Sequence, residues 1–144
     1  MFTYTLVSPP WFSFDAKVID DIRRIISKEV QKAQKWTLNL VFVGPDSIKN
    51  LNKNYRNTDA VTDVLSFHYF DDFSRLKKSD IAGEIVFCEE KVMAQGEQYW
   101  LGAQKEFYKL LIHSTLHILG YDHEWEEDYQ KMKKIEEKVW KRIF

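Results

Sequence analysis

The feature that most constrains this chain is a helical segment, residues 104–119, that is apolar on nearly every side. A helix that lies on the surface keeps one polar face, so a helix that is apolar all round is expected to be buried among other elements. Gly120 follows the segment directly. Glycine there is a common helix stop because it can adopt left-handed backbone angles. The sequence therefore predicts a central, buried helix that ends just before Gly120.

Three of the four histidines of the chain fall in or just after this helix, at His113, His117 and His123. His113 and His117 are four residues apart and share one face of a helix, and the turn at Gly120 allows His123 to return toward them. Burying three imidazoles without partners would cost free energy. The spacing predicts one divalent metal ion per chain, zinc or a similar metal, with a fourth position open to water, as in catalytic zinc sites. The alternative is a coincidental pair of histidines.

Three neutral ligands leave the ion its full charge, which lowers the pKa of bound water to about 7 and polarises a substrate oxygen. This favours an anionic substrate such as a phosphodiester, although ester or peptide hydrolysis stays open. The zinc-protease motif H-E-x-x-H has a glutamate as general base where this chain has Ser114. Four other carboxylates are candidates for a base, a helix cap or an orienting partner of a ligand: Glu84, Glu106, Asp122 and Glu124.

Two further polar residues need an interpretation. Arg56 ends a predicted helix beside a polar loop, where an arginine is often a partner of the helix dipole or of a carboxylate. It could instead clamp a phosphate, because a guanidinium matches phosphate oxygens with two parallel hydrogen bonds. Position alone favours the first role. His68, the fourth histidine, is expected at a strand end without a metal role.

Composition sets wider limits. The 144 residues predict a single domain, 1–144, and the one cysteine, Cys88, cannot form an internal disulfide, which fits a reducing cytoplasm. We see no signal peptide and no apolar run of the roughly 18 residues that cross a bilayer, so no membrane partner is expected. With a net charge of −1, any RNA contact should be local. The candidate basic face, which could equally be a solvated helix side, comprises Arg23, Arg24, Lys28, Lys32 and Lys35.

Hydrophobic periodicity predicts the element order β-α-β-α-β-β-α-α-α. The predicted strands span residues 3–7, 37–43, 61–70 and 81–88, and the predicted helices span 15–35, 47–55, 89–100, 104–119 and 124–144. Asp46 is a candidate cap of the second helix. The fold class is therefore α+β, with a single mixed sheet of about four strands packed by helices, and the central helix carries the histidines.

The same residues carry a family resemblance. The segment His113-Ser-Thr-Leu-His117-Ile-Leu-Gly-Tyr-Asp-His123 closely resembles the H-G-x-L-H-L-x-G-Y-D-H motif of the YbeY family of bacterial rRNA-maturation endoribonucleases. Residues 51–67, LNKNYRNTDAVTDVLSF, are similar to a second block of that family, and Gly83-Glu84-Ile85 resembles its G-D-I strand. The three blocks occur in the family's order and extend over most of the chain.

The resemblance implies a metal-dependent hydrolase, usually with zinc, that cleaves single-stranded RNA in 16S rRNA 3′-end maturation and ribosome quality control. It implies His113, His117 and His123 as metal ligands, Arg56 as the functional arginine, and rRNA and the ribosome or its small subunit as partners. Ser114 and Glu84 depart from the usual Gly and Asp. Three alternatives stay open: a zinc metalloprotease-like hydrolase, a metal-stabilised ribosome-binding module without catalysis, and a structural zinc site.

Overall fold

A computed structural model describes residues 1–30, 35–121 and 126–144 of the chain. The elements follow the predicted order and confirm the α+β class. They are β1 Thr3–Ser8, α1 Ala16–Glu29, β2 Thr37–Val43, α2 Pro45–Arg56, β3 Val64–His68, β4 Ile81–Cys88, α3 Glu89–Gln98, α4 Ala103–Ile118 and α5 Glu126–Ile143. None of the helices described is long and apolar enough to cross a membrane.

The four strands form one mixed sheet in the order β1-β2-β4-β3. β1, β2 and β4 are parallel, whereas β3 runs antiparallel to β4 and forms one edge of the sheet. The antiparallel register pairs Val64 with Phe87 at one end and His68 with Gly83 at the other. The predicted mixed sheet of about four strands is thus confirmed.

Helix α4 is buried among the other elements, as its sequence predicts. Buried side chains occur around the helix, from Glu106 and Phe107 near its start to Ile118 at its end. They join the main hydrophobic core, which contains Leu40 and Phe87 from the sheet. The opposite face of the sheet packs against α2 in a smaller cluster that includes Cys88, whose thiol is buried. Packing of α4 against the sheet therefore fixes its position in the molecule.

The turn after α4 has the hydrogen bonds of a Schellman motif. Gly120 has a φ of 105°, the Gly120 amide donates to His117 O at 3.0 Å, and the Tyr121 amide donates to Leu116 O at 3.1 Å. A left-handed glycine with these two bonds satisfies carbonyls that would otherwise lack partners at the helix end. The predicted helix stop at Gly120 is confirmed.

Three local predictions were wrong. Helix α1 ends at Glu29 rather than residue 35, because Val30 adopts extended backbone angles and buries its side chain. β3 is shorter than residues 61–70 and keeps only the residues that pair with β4. Asp46 does not cap α2: the helix starts at Pro45, so Gly44 occupies the cap position and Asp46 lies in the first turn. Proline suits that first helical position because it needs no amide donor there.

Candidate active site

His113 and His117 lie one turn apart on α4, and the structure brings their rings together. The ring centroids are 4.9 Å apart and the ring planes meet at 82°. Both side chains are partly buried. Imidazoles four residues apart on one helix face can both direct a nitrogen at a single ion. The predicted pair therefore has a suitable arrangement, while its role as metal ligands stays a prediction.

The ring of His113 is held by a carboxylate from the last helix. His113 Nδ1 is 2.7 Å from Glu136 Oε1 on α5. An ionised carboxylate only accepts hydrogen bonds, so Nδ1 carries the proton in this contact and the lone pair of the neutral ring is on Nε2. Metal-ligating histidines commonly have such a partner on the second nitrogen. The described part of the site, with two of its three predicted ligands, thus has donors that suit a divalent cation.

The third predicted ligand, His123, lies outside the described residues, as do the candidate carboxylates Asp122 and Glu124. Within residues 1–30, 35–121 and 126–144, no group of three or more histidine, cysteine, aspartate or glutamate side chains could hold a metal ion. The described ranges therefore provide two of the three imidazoles that the sequence predicts.

A hydroxyl pair anchors α4 between its two histidines. Thr115 Oγ1 donates to Leu111 O at 2.7 Å. The Tyr4 hydroxyl on β1 lies 2.7 Å from Thr115 Oγ1. Because the threonine proton goes to Leu111, Tyr4 is the donor to Thr115. Burial raises the pKa of Tyr4 above its usual range, so this donor stays protonated. The bond ties the histidine-bearing turn of α4 to β1.

His117 lines a cleft of about 680 Å³ at the carboxyl end of α4. His68 lines the same cleft, together with Phe70 and Phe73 from the loop after β3. Alternation along β3 explains this position: Val64 packs into the main core, and His68, four residues on, points to the same face of the sheet. The predicted strand-end position of His68 is confirmed, but the sequence alone did not place it beside His117.

Arg56 ends α2, as predicted, and lies at the exposed edge of the sheet. Its Nη2 donates to Ser66 O on β3 at 2.6 Å, and its guanidinium carbon is 5.5 Å from the centre of the Phe67 ring. The guanidinium therefore contacts a backbone carbonyl and an aromatic ring of the edge strand. A guanidinium has five N–H donors, so one such bond uses only part of its capacity. A phosphate contact by Arg56 remains a prediction.

Two of the candidate carboxylates have partners in the described structure. Glu106 is buried, with Oε1 accepting from Gln95 Nε2 at 3.2 Å and Oε2 lying 3.2 Å from Lys109 Nζ. Glu84 Oε2 accepts from the Tyr69 hydroxyl at 3.0 Å. The pKa of Tyr69 is raised to about 12, mainly by partial burial and to a smaller extent by this bond to Glu84. None of these three contacts identifies a general base.

Most of the chain matches a known protein family. Residues 13–143 match the family model described as Endoribonuclease YbeY. The chain belongs to the endoribonuclease YbeY family. This confirms the resemblance carried by the histidine motif and by residues 51–67. YbeY proteins are nucleases of the hydrolase class, and the family is generally metal-dependent.

Individual relatives agree with the YbeY assignment. The Endoribonuclease YbeY of Finegoldia magna is 34% identical over 135 residues, which cover 92% of this chain and 87% of that protein. The Endoribonuclease YbeY of Thermodesulfovibrio yellowstonii is 35% identical over 136 residues, which cover 85% of this chain and 84% of that protein. The solution structure of a Thermotoga maritima protein aligns with a TM-score of 0.61 and 28% identity, covering 99% of this chain and 91% of the other.

The two departures from the YbeY motifs occupy different environments. Ser114, where the family motif usually has glycine, is buried inside α4 with 2% of its surface exposed. Glu84, where the family strand usually has aspartate, reaches Tyr69 at the edge of the sheet. Neither departure removes a predicted ligand.

The contact that the sequence did not predict is that of Glu136 with His113. The two residues are 23 positions apart, and only the packing of α5 against α4 brings them together. A weak signal existed: Glu136 follows buried Met132 by four residues, so it lies near the inward face of an amphipathic helix. Asp122, the orienting partner considered from the sequence, lies outside the described residues.

Proposed function

We propose that this chain is a divalent-metal-dependent endoribonuclease that cleaves single-stranded RNA. His113, His117 and His123 would hold one ion per chain, zinc or a similar divalent metal, and Arg56 would bind the phosphate. The observation that supports the proposal most strongly is the His113–His117 pair on one face of a buried helix, with His117 at the wall of an open cleft. Membership of the YbeY family supports the same reaction.

The chemistry assigns separate roles to the ion and to the protein. A bound divalent cation would supply Lewis-acid stabilisation of the phosphoryl oxygens. Negative charge builds on these oxygens as water or a substrate hydroxyl attacks phosphorus, and a guanidinium stabilises such charge with paired hydrogen bonds. Arg56 is exposed at the β3 edge and already donates one hydrogen bond there. We infer that the phosphate of the bound RNA lies between the histidine face and this edge.

The lining of the cleft supports an unpaired strand as the proposed substrate. His68, Phe70 and Phe73 line it beside His117, and aromatic and imidazole rings stack on bases that are not paired. A base within a duplex has both faces covered by its neighbours and cannot make these contacts. Single-stranded RNA therefore suits the cleft better than duplex RNA.

The biological substrate in this proposal is the 3′ end of 16S rRNA, with maturation and ribosome quality control as the roles and the ribosome or its small subunit as the cytoplasmic partner. Sedimentation with small subunits tests this assignment. The chain should migrate with subunits that carry an unprocessed 3′ end and should shorten that end. Binding with intact RNA at high protein concentration would instead indicate a non-catalytic ribosome-binding module.

The reaction itself is tested with an end-labelled single-stranded RNA and the same RNA annealed to its complement. We expect internal cleavage of the single strand, loss of cleavage after chelation, and recovery when zinc or another divalent ion is restored. The annealed duplex should be cleaved much more slowly. Undiminished cleavage by protein from which the metal has been removed would contradict the proposal. Cleavage of a peptide library but not of RNA would favour a protease-like hydrolase.

A further inference from the structure

We propose that Glu136 is a positioning residue for His113, holding its imidazole in the orientation and tautomer that metal binding requires. The inference rests on the proposed function, because it gives His113 a metal to bind. Its starting observation is the distance of 2.7 Å between Glu136 Oε1 and His113 Nδ1. Both side chains keep about a third of their surface exposed, at 32% and 31%.

The contact selects one tautomer. A neutral imidazole carries its proton on one nitrogen and a lone pair on the other, and the hydrogen bond of one nitrogen decides which. Glu136 accepts the Nδ1 proton, so the lone pair is on Nε2. His113 can then bind a cation through Nε2 without first moving a proton. The carboxylate also holds the ring in one orientation, so Nε2 points in a fixed direction.

The packing of α5 holds the carboxylate in place. Met132 and Val139, one turn before and one turn after Glu136, are buried in the main core. Lys138 Nζ lies 2.7 Å from Glu29 Oε1 and links α5 to α1. Glu136 is therefore presented to α4 from a helix that the core fixes on both sides, which suits an orienting role.

Glu137 provides the matched control, because it has the same charge on the next residue of α5 and is exposed. We expect Glu136→Ala to weaken zinc binding by about 10- to 100-fold, as loss of outer partners of metal ligands does. Glu136→Gln replaces the carboxylate with an amide that can donate to Nδ1 as well as accept from it, so it should lose part of this affinity. Glu137→Ala should bind zinc like the wild type. Zinc affinity is measured by competition with a chromophoric chelator. A folded Glu136→Ala variant with wild-type affinity would overturn the inference.

A second readout does not depend on metal or on the alanine variant. Nitrogen–proton correlation spectra of the metal-free protein, at a mildly alkaline pH where free imidazole is neutral, report which ring nitrogen carries the proton. We expect the Nδ1-protonated form for His113 in the wild type and in Glu137→Gln, and a shift toward the Nε2-protonated form in Glu136→Gln. A contact that only ties α5 to α4 predicts no change of tautomer, and that result would overturn the proposal.

The two proposals fail in distinguishable ways. If the wild-type chain binds no divalent metal, the proposed function fails, while the tautomer spectra still report on the Glu136 contact. If the wild type binds zinc and Glu136→Ala binds it equally well, only the positioning role of Glu136 fails.

Discussion

The hydroxyl of Tyr4 donates a 2.7 Å hydrogen bond to Oγ1 of Thr115, which lies on α4 midway between His113 and His117. Tyr4 is on β1, the edge strand opposite β3, and the two residues are 111 positions apart. Thr115 is fully buried, so its hydroxyl cannot bond to water and needs a partner within the protein. The first strand of the chain thus fixes the turn of α4 that presents the two histidines.

Replacing Tyr4 with phenylalanine tests this anchor. The change removes one buried hydrogen bond while Thr115 keeps its bond to Leu111 O, so we expect a loss of about 1 kcal/mol in the free energy of unfolding. Urea denaturation measures it. Tyr99→Phe, at an exposed tyrosine, should stay within about 0.5 kcal/mol of the wild type. Equal stability of Tyr4→Phe and wild type would show that the bond contributes nothing.

Arg56→Ala separates phosphate binding from metal binding. Arg56 contacts Ser66 and Phe67 on β3 rather than the histidines, so the variant should keep its metal. Turnover should fall by about 100-fold or more, as when one donor to a transition-state oxygen is removed. Arg56→Lys should restore little, because an ammonium lacks the paired donors of a guanidinium.

The control for Arg56 is Lys53→Ala, which removes a positive charge from an exposed position one turn earlier on α2. Single-turnover cleavage of RNA and metal content are measured on all three variants. A wild-type rate in Arg56→Ala would dismiss the phosphate role, and loss of metal in that variant would show that Arg56 acts through the fold.

Gly83 is required by the close approach of β3 to β4. A Cβ added at Gly83 would lie 2.3 Å from Phe67 O, a backbone atom that cannot move without disturbing the strand pairing. We expect Gly83→Ala to lower the free energy of unfolding by about 1–3 kcal/mol, as overpacking does. Gly44→Ser is the control, since a Cβ there has open space and serine is a good helix cap. Similar stability of the two variants would contradict this description of the strand pair.

The contact between Tyr69 and Glu84 predicts a loss of stability at alkaline pH. The pKa of Tyr69 is raised to about 12 in the folded chain, against about 10 for an unperturbed tyrosine. The unfolded chain therefore loses this proton first, so the contribution of Tyr69 to stability is complete below about pH 10 and is lost as the pH rises toward 12. Tyr4 acts in the same direction, because its pKa is also raised.

Ultraviolet titration of the tyrosines tests the assignment to Tyr69. Glu84→Gln removes the carboxylate that favours the protonated phenol and should lower the pKa of Tyr69 toward its ordinary value. Tyr69→Phe should remove this step from the titration curve. A curve that is identical in Glu84→Gln and wild type would contradict the role of the hydrogen bond.

The sequence predicted what depends on local spacing. The apolar character of residues 104–119 and the glycine that follows them are local features of the sequence. The helix α4 and its end at the left-handed Gly120 were therefore predictable. The spacing of His113 and His117 likewise places them on one face of a helix. The assignment of residues 1–144 to a single domain stays a prediction.

What the sequence could not predict depends on packing between distant elements. β3 stops where its pairing with β4 stops, at His68, and that pairing also carries His68 to the cleft of His117. The Glu136–His113 contact requires the docking of α5 on α4. α1 ends early because Val30 is needed in the core rather than in another helical turn. These features follow from tertiary contacts that a periodicity pattern does not contain.

The central claim, that His113 takes part in binding one catalytic divalent ion, is tested most directly by measuring metal content and RNA cleavage on the same purified proteins. His68→Ala is the control for metal content, because it removes a histidine from the cleft that His117 lines. We predict about one ion per chain in the wild type and in His68→Ala. We predict neither bound metal nor cleavage in a His113→Ala variant that stays folded. A folded His113→Ala protein that keeps its ion and cleaves single-stranded RNA at the wild-type rate would contradict the account.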